Sequence, residues 1–300
     1  MRDVLSRYEK WYSFRIMPGG EKSFVPRAPA VSQEKEDSGL ERKLAAFNAE
    51  AEREGWKMDI LSGPTSKIFE QGLKDLDSRE EMLLALCLNN SYYKRENIYR
   101  MLKFSLAFSK SVQVFTTDGP ARHNYRAFGK DEAYAERKTR LERNHLRNLT
   151  NDALGLINKD LPPEEQKTVA FMDWERIYAD PEYRESLDML KKLYESNEEF
   201  RSDINSITTQ VLLSRVGINK DTEAVLEEGI QYVLEEVAFI ASYMKLSEGI
   251  KPKAEHGKDG FNYIYYESWP VLEKLVNGDY DGQPKDGIGF VIAKITQSDT

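Results

Sequence analysis

The sequence predicts a doubly wound α/β fold, and three observations carry that expectation. The first is the stretch around Leu84–Ile98, where the apolar run Met82 to Leu88 breaks into Asn89-Asn90-Ser91 and then into a helical pattern. A run so short and apolar suits a strand buried on both faces of a parallel sheet. Asn and Ser are turn and N-cap types. The second is a second strand, Ser111 to Thr117, directly after the helix Arg95 to Ser109 and closed by the turn residues Asp118-Gly119-Pro120. The third is the continued alternation: a strand at Lys167–Met172, helices at Pro181–Tyr194, Glu198–Val216 and Thr222–Leu246, then strands Phe261–Tyr266 and Ile288–Ile295 around a helix near Trp269. Alternation of this kind implies a mainly parallel, five-stranded sheet flanked by helices. Cys87, the one cysteine of the chain, closes the first of these strands. In open parallel sheets, ligands bind at the carboxyl ends of the strands.

Upstream of that strand the signals are weaker. Pro18-Gly19-Gly20, Pro26, Pro29 and the charged run Gln33–Asp37 predict a largely irregular start, with a short helix over Val4–Tyr12. Leu40, Leu44 and Phe47 share one side of a predicted helix over Leu40–Glu54, followed by a short strand, Trp56–Leu61, and a short helix, Ile68–Leu76. The expected organisation is an N-terminal extension over residues 1–55 and a single domain over 56–300.

Composition narrows the function classes. Hydrophobic residues make up 40% and charged residues 31% of the 300, ordinary values for a globular protein. No apolar run approaches a membrane span, and the N-terminus lacks the apolar centre of a signal peptide. A single cysteine excludes an internal disulfide framework and suits a reducing compartment. A cytoplasmic, monomeric protein with no membrane partner is therefore expected. The net charge of −8 argues against general nucleic-acid binding, and DNA is not an expected partner. There is no Walker lysine loop, no GxGxxG and no metal-ligand spacing, so neither cofactor nor metal is expected.

Against that acidic average, Arg137, Lys138, Arg140, Arg143, His145 and Arg147 crowd onto one helix, predicted over Asp131–Ile157. Arg140, Arg143 and Arg147 are spaced i, i+3, i+7, along one face. Two readings stand: a solvated surface balanced by Glu136 and Glu142, or a stripe that tracks phosphates. The stripe would grip a nucleic-acid backbone rather than read bases.

Tyr232 and Glu236 lie four apart on a helix whose other positions include Ile230, Val233, Leu234, Val237 and Ile240. Either Glu236 is solvated and Tyr232 packs at the edge, or a buried carboxylate does acid/base work beside a phenol that positions a substrate. Cys87 has the same two readings, a small buried hydrophobe or a nucleophile. Tyr265-Tyr266 closes a later strand, and none of the three histidines falls in a catalytic context.

The order and spacing of these pieces resemble the cyclodipeptide synthases, which join two aminoacyl groups taken from charged tRNAs into a diketopiperazine. In that family an apolar strand ends in a nucleophilic serine, two residues follow, then Asn-Ser-Tyr, and further on an Asn opens the next helix. Here Cys87, Asn90-Ser91-Tyr92 and Asn97 stand at the matching places. A Tyr-x-x-x-Glu pair after a glycine matches Tyr232 and Glu236, and a tyrosine five residues before a proline matches Tyr265 and Pro270. Asp118, the basic helix and Asp180-Pro-Glu-Tyr183 also fall in family order, so the likeness spans about Leu83 to Ile295. Cys87 replaces the family's serine, and Tyr266 stands where Gln, His or Pro is usual.

The resemblance implies a Rossmann-like domain similar to the catalytic domains of class I aminoacyl-tRNA synthetases. It implies two aminoacyl-tRNAs as substrates, and a ping-pong route through an aminoacyl group carried on Cys87. Asn90, Tyr232 and Tyr265 would hold the substrate, and Glu236 would orient or deprotonate its amine. Arg137, Lys138, Arg140, Arg143 and Arg147 would dock the acceptor stem. The first side chain would lie among Leu83, Ala85, Phe115, Thr117, Trp174 and Phe239, with Tyr266 adjacent, and Asp173 or Glu175 would offer a carboxylate to a basic substrate. The helix after Asn90 is expected to aim its N-terminus at Cys87 and favour a thiolate. Alternatives are a divergent eukaryotic type making arginine-containing products, and a non-catalytic aminoacyl-tRNA-binding protein. A synthetase-like ligase lacks support, since His-x-Gly-His is absent.

Overall fold

The computed structural model describes residues 12–16, 22–26, 39–61, 81–88, 90–109, 111–216, 223–243, 262–265, 270–282 and 290–297. In chain order the elements are β1 (Tyr12–Ile16), β2 (Lys22–Pro26), α1 (Gly39–Glu52), β3 (Trp56–Leu61), β4 (Glu81–Leu86), α2 (Arg95–Phe108), β5 (Ser111–Thr116), α3 (Asp118–Ala127) and α4 (Glu132–Asn158). They continue with a 3₁₀ turn at Pro163–Glu165, β6 (Val169–Met172), α5 (Trp174–Ala179), α6 (Pro181–Ser196), α7 (Glu198–Val216), α8 (Glu223–Tyr243), β7 (Asn262–Tyr265), α9 (Pro270–Asn277) and β8 (Phe290–Gln297).

Six strands form the main sheet, in the order β3-β8-β7-β4-β5-β6, and every neighbouring pair is parallel except β3 with β8. The expected count of five is corrected to six. Trp56–Leu61 joins the edge antiparallel, running from Trp56 opposite Gln297 to Leu61 opposite Ile292. Its buried Trp56 and Met58 alternate with less buried neighbours, the pattern of a strand with one covered face.

The connections place the crevice of this sheet. From β4 the chain steps to β5 and β6 on one side, then returns past β4 to β7 and β8 on the other. Right-handed crossovers therefore put α2 and α4 on one face and α8 and α9 on the opposite one. Consistent with this, α2 packs on α4, whereas α8 packs on α3, α6 and α7. The strand order reverses beside β4, so its carboxyl end, where Cys87 follows, lies at a topological switch point.

Two further expectations change. The start is not merely irregular, because β1 and β2 pair antiparallel, Tyr12 opposite Pro26. The Pro-Gly-Gly between them is a hairpin signal that the surrounding prolines obscured. Asp118-Gly119-Pro120 does not close a strand but opens α3, because proline in a first helical turn forfeits no intrahelical hydrogen bond. The helix expected over Arg95–Ser109 does begin at Arg95, with Lys94 as its N-cap. Residues 68–76 and Tyr266 lie outside the described residues, as does the predicted helix over residues 4–12 apart from Tyr12 in β1.

The core continues across residue 55. Phe47 of α1 meets Trp56, Phe104 and Phe108 edge-on at 5.8, 5.4 and 5.8 Å, and Ala51 is fully buried. Lys103 of α2 bonds Glu50 and Glu54 at 2.9 and 2.7 Å, fastening α1 from its polar side.

Candidate active site

Two backbone-level contacts fix the end of β4. The Thr117 amide donates to the Leu86 carbonyl at 3.2 Å, and the Leu88 amide donates to the Thr117 hydroxyl at 3.2 Å. Thr117, expected to line a pocket, thus spends its hydroxyl on clamping the residues around Cys87. Beyond them the motif residues build the turn. The Asn90 side-chain oxygen accepts from the Tyr92 amide at 2.9 Å, and the Asn97 amide group donates to the Tyr92 carbonyl at 2.8 Å. The turn from Asn90 to Lys94 is therefore held by its own side chains before α2 starts.

Across this turn stands α8. The Cys87 sulfur lies 3.6 Å from Oε1 of Glu236, a contact between residues 149 apart in sequence, and both side chains are buried. A carboxyl at full burial is costly unless it works or bonds. The thiol donates to it here. The partner that the geometry gives the thiol is thus a carboxylate from the opposite layer, not the N-terminus of α2, which begins eight residues on. Tyr232, one turn before Glu236 and on the same side of α8, is also fully buried. The backbone of Tyr265 ends β7 one residue past the Leu84–Ile264 pair, beside the carboxyl end of β4.

Next to this pair lies an aromatic wall. Phe115 and Phe239 stack with centroids 4.0 Å apart and planes at 7°, and Trp174 leans on both at 5.3 and 5.7 Å. The Trp174 indole donates to the Thr116 carbonyl at 2.6 Å. Leu83 and Ala85 are equally buried in β4, and Ala85 pairs with Phe115 across the ladder. Four of the six expected pocket residues, Ala85, Phe115, Trp174 and Phe239, therefore come together, with Leu83 buried two residues before Ala85 on β4 and Thr117 turned to the backbone.

The basic helix is divided. Arg143 reaches inward to the buried Asp118 at 3.1 Å, and Arg147 bonds Asp173 at 2.6 Å, while Arg137 and Arg140 are exposed and Lys138 bonds Glu142 at 3.3 Å. A stripe of Arg140, Arg143 and Arg147 in solvent is not what forms. Asp173 is committed to Arg147 and Glu175 is exposed, so neither stands ready for a basic substrate side chain.

The cyclodipeptide synthase family model matches residues 70–295. The chain belongs to that family. Among solved structures it is similar to a cyclodipeptide synthase from Bacillus thermoamylovorans, at 20% identity and a TM-score of 0.64, over 83% of this chain and all of the other. A Mycobacterium tuberculosis protein, whose structure relates cyclodipeptide synthetases to type I tRNA synthetases, matches at 17% identity and a TM-score of 0.56, over 82% of this chain and 94% of the other. A cyclodipeptide synthase from Candidatus Glomeribacter gigasporarum, bound to Phe-tRNAPhe, matches at 16% identity and 0.51, over 74% and 90%. No curated protein matches. The fold is thus an α/β fold of the cyclodipeptide synthases, related to class I tRNA synthetases. Among the described residues, no helix is long and apolar enough to cross a membrane and no acidic, His or Cys group is arranged to hold a metal ion.

Sequence reasoning missed a buried polar network behind α8. His123 of α3 faces Glu228 through Nδ1 at 2.6 Å and Glu235 through Nε2 at 3.2 Å. Tyr178 donates to Glu235 at 2.7 Å and accepts from Arg122 at 3.0 Å. Burial alone would raise the Glu235 pKa, but the His123 bond and charge, then Tyr178 and Arg122, outweigh it and hold the carboxyl below its usual range. Stability from this group is present above the ordinary carboxylate range and lost as pH falls through the depressed value. Burial pushes Asp118 the other way, upward, against the Thr116 hydroxyl and Arg143. No motif flags these contacts, because α3 itself was not predicted; Glu228 and Glu235, seven apart on one helix face, were the only signal.

Gly229, the glycine before the Tyr-x-x-x-Glu pair, also acquires a reason. A Cβ there would sit 2.6 Å from Thr208 and 2.9 Å from Leu212, so glycine permits the close crossing of α8 on α7. Gly229→Ala should destabilise the fold by about 1–3 kcal/mol through overpacking, even though alanine is the better helix former. Thermal unfolding would check it; a higher Tm in the variant would mean α7 yields at no cost.

Proposed function

We propose that this chain is a tRNA-dependent cyclodipeptide synthase working through an aminoacyl thioester on Cys87. The observation that carries this reading is the buried contact between the Cys87 thiol and the Glu236 carboxyl at the switch point of the sheet. Two aminoacyl-tRNAs are the substrates, a view supported by the tRNA-bound relative.

The chemistry follows from that pair. An ordinary thiol at about 8.5 does not give its proton to an ordinary Glu at about 4.3 without a cost of roughly 6 kcal/mol. The proton therefore passes to Glu236 as the sulfur attacks the ester carbonyl, in the manner of general-base catalysis. The S–C bond forms, the C–O bond to the terminal ribose breaks, and Glu236 returns the proton to the departing ribose oxygen. A second aminoacyl-tRNA then supplies its amine, which attacks the thioester. Its proton goes by way of Glu236 to the sulfur, and dipeptidyl-tRNA is left with the thiol restored. The free amine of the dipeptide attacks the remaining ester, closing the ring and releasing the second tRNA. In this reading Tyr232 and Tyr265 hold the amine and carbonyl. No ATP is consumed, since each ester arrives activated.

In this reading the exposed Arg137 and Arg140, not the inward pair, track the acceptor-stem phosphates. Replacing both with alanine should raise KM for aminoacyl-tRNA several-fold and flatten its salt dependence, with Tm unchanged. Arg143→Ala should instead lower stability by about 2–3 kcal/mol, because it strips a charged hydrogen bond from Asp118. Equal salt slopes in the double variant and the parent would remove Arg137 and Arg140 from the tRNA path. The reading as a whole is tested by supplying a full set of charged tRNAs and identifying products; no cyclodipeptide from any pair would refute it.

A further inference from the structure

We infer that Glu235 is a positioning residue, which through Tyr178 and His123 fixes the rotation and axial position of α8 so that the Glu236 carboxyl meets the Cys87 thiol. The inference rests on the thioester reading above and adds the device that aligns its proton acceptor.

The argument starts from what the Cys87–Glu236 contact requires. The thiol stands just past β4 and the carboxyl on α8, with 3.6 Å between sulfur and oxygen. Side-chain tips lie about 5–6 Å from a helix axis, so turning α8 by about 20° would carry the carboxyl roughly 2 Å from its place. A hydrogen bond does not survive such a shift. Around Glu236 the helix buries Val233, Leu234, Val237, Ala238 and Ala241. Burial of aliphatic surface favours contact without favouring one direction, whereas hydrogen bonds depend on direction.

Glu235 supplies the directional contacts. Its Oε2 accepts from the Tyr178 hydroxyl of α5 at 2.7 Å, and its Oε1 lies 3.2 Å from Nε2 of His123 on α3. Glu235 precedes Glu236 directly and stands about 100° round the same turn, so a rotation of α8 moves both carboxyls through the same angle. The rotation that would part Glu236 from Cys87 also breaks the Tyr178 bond. Sliding is limited too. Nδ1 of His123 is 2.6 Å from Glu228, seven residues earlier on α8. One imidazole is thus bracketed by two carboxylates of the same helix, and a displacement along the axis lengthens one contact or the other.

The partners of Glu235 are anchored where the thiol is anchored. Tyr178 accepts from Arg122 at 3.0 Å and packs on Trp174 with centroids 5.2 Å apart. The Trp174 indole donates to the Thr116 carbonyl at 2.6 Å. The next residue, Thr117, bonds Leu86 and Leu88, on either side of Cys87. Gly119 keeps this junction tight, since a Cβ there would lie 2.5 Å from Trp174 and 2.7 Å from the Tyr178 hydroxyl. The end of β5 and the start of α3 therefore hold Cys87 directly and Glu236 by way of Glu235.

The test uses the full-length protein, bulk tRNA charged with labelled amino acids, and single-turnover labelling of Cys87 at saturating tRNA. Glu235→Ala should lower the labelling rate about a hundredfold, the cost of misplacing a reacting group by about 1 Å. The tRNA concentration giving half the maximal rate should stay unchanged. Glu235→Gln, which keeps the shape and an oxygen for the Tyr178 hydroxyl, should restore most of the rate. The deciding measurement is Glu235→Ala in a Glu236→Gln background. With no carboxylate left to place, the rate should change little there, although Tm falls as much as in the parent. Should Glu235→Ala fail to fold, Tyr178→Phe takes its place, with a severalfold loss in the parent and almost none beside Glu236→Gln. Equal fold losses in both backgrounds, or a parental rate in Glu235→Ala, overturn the inference and leave the thioester route intact. Cyclodipeptide made by the parent without labelling of Cys87, or parental labelling of Glu236→Gln, overturns the reading itself and the inference with it.

Discussion

Cys87→Ala should abolish both labelling by radioactive aminoacyl-tRNA and the formation of cyclodipeptide, a loss of three orders of magnitude or more. The residue holds the one thiol of the chain, directly follows the central strand at the switch point, and donates to a carboxyl 3.6 Å away. Stability should fall by no more than about 1–2 kcal/mol, because only one buried sulfur is removed from a small side chain. Cys87→Ser should keep part of both signals. The hydroxyl can still donate to Glu236, but it is a poorer nucleophile than a thiol, and the resulting ester is less reactive to the incoming amine than a thioester. Near-normal product from the alanine variant would show that the aminoacyl group never rests on this residue.

The parallel core of the fold was open to reading because β4, β5, β7 and β8 are short apolar runs separated by helical periodicity. What the sequence concealed depended on distance or on turn chemistry. The edge strand Trp56–Leu61 was seen as a strand, yet its pairing with residues near the C-terminus is a contact over more than two hundred positions. The hairpin Tyr12–Ile16 with Lys22–Pro26 was masked by prolines that suggested disorder. Asp118-Gly119-Pro120 reads as a turn and is a helix start, so the whole of α3 was lost, and with it His123.

The site was legible in a similar, partial way. Cys87 and Glu236 were each ambiguous alone, since a cysteine in an apolar run and a glutamate on a buried helix both have ordinary explanations. Their partnership depends on α8 crossing the end of β4, which no local pattern encodes. Charge patterning misled in one respect. Arg140, Arg143 and Arg147 do lie along one helix face by spacing, but that face is oblique to the surface. Asp118 and Asp173, placed at the ends of β5 and β6, draw the latter two inward. A periodicity gives the relative angle of side chains on a helix; it does not give the angle of the helix to its neighbours.

Glu236→Gln should cost two to four orders of magnitude in the acylation rate, the usual range for losing a positioned proton acceptor. The substitution keeps shape and volume at a fully buried position and removes only basicity and charge. Stability should therefore hold or rise, since a buried carboxylate carries a desolvation cost that an amide does not. Glu236→Ala would instead leave a cavity at a fully buried position, so its loss of rate would mix chemistry with collapse. The informative comparison is Gln against the parent in single-turnover labelling of Cys87, alongside Tm. A slow but stable Gln variant assigns proton transfer to this carboxyl. Labelling at the parent rate would leave Glu236 as a packing residue and require another base for the thiol. A fall in Tm of several degrees would mean instead that the Cys87–Glu236 bond chiefly joins α8 to the sheet.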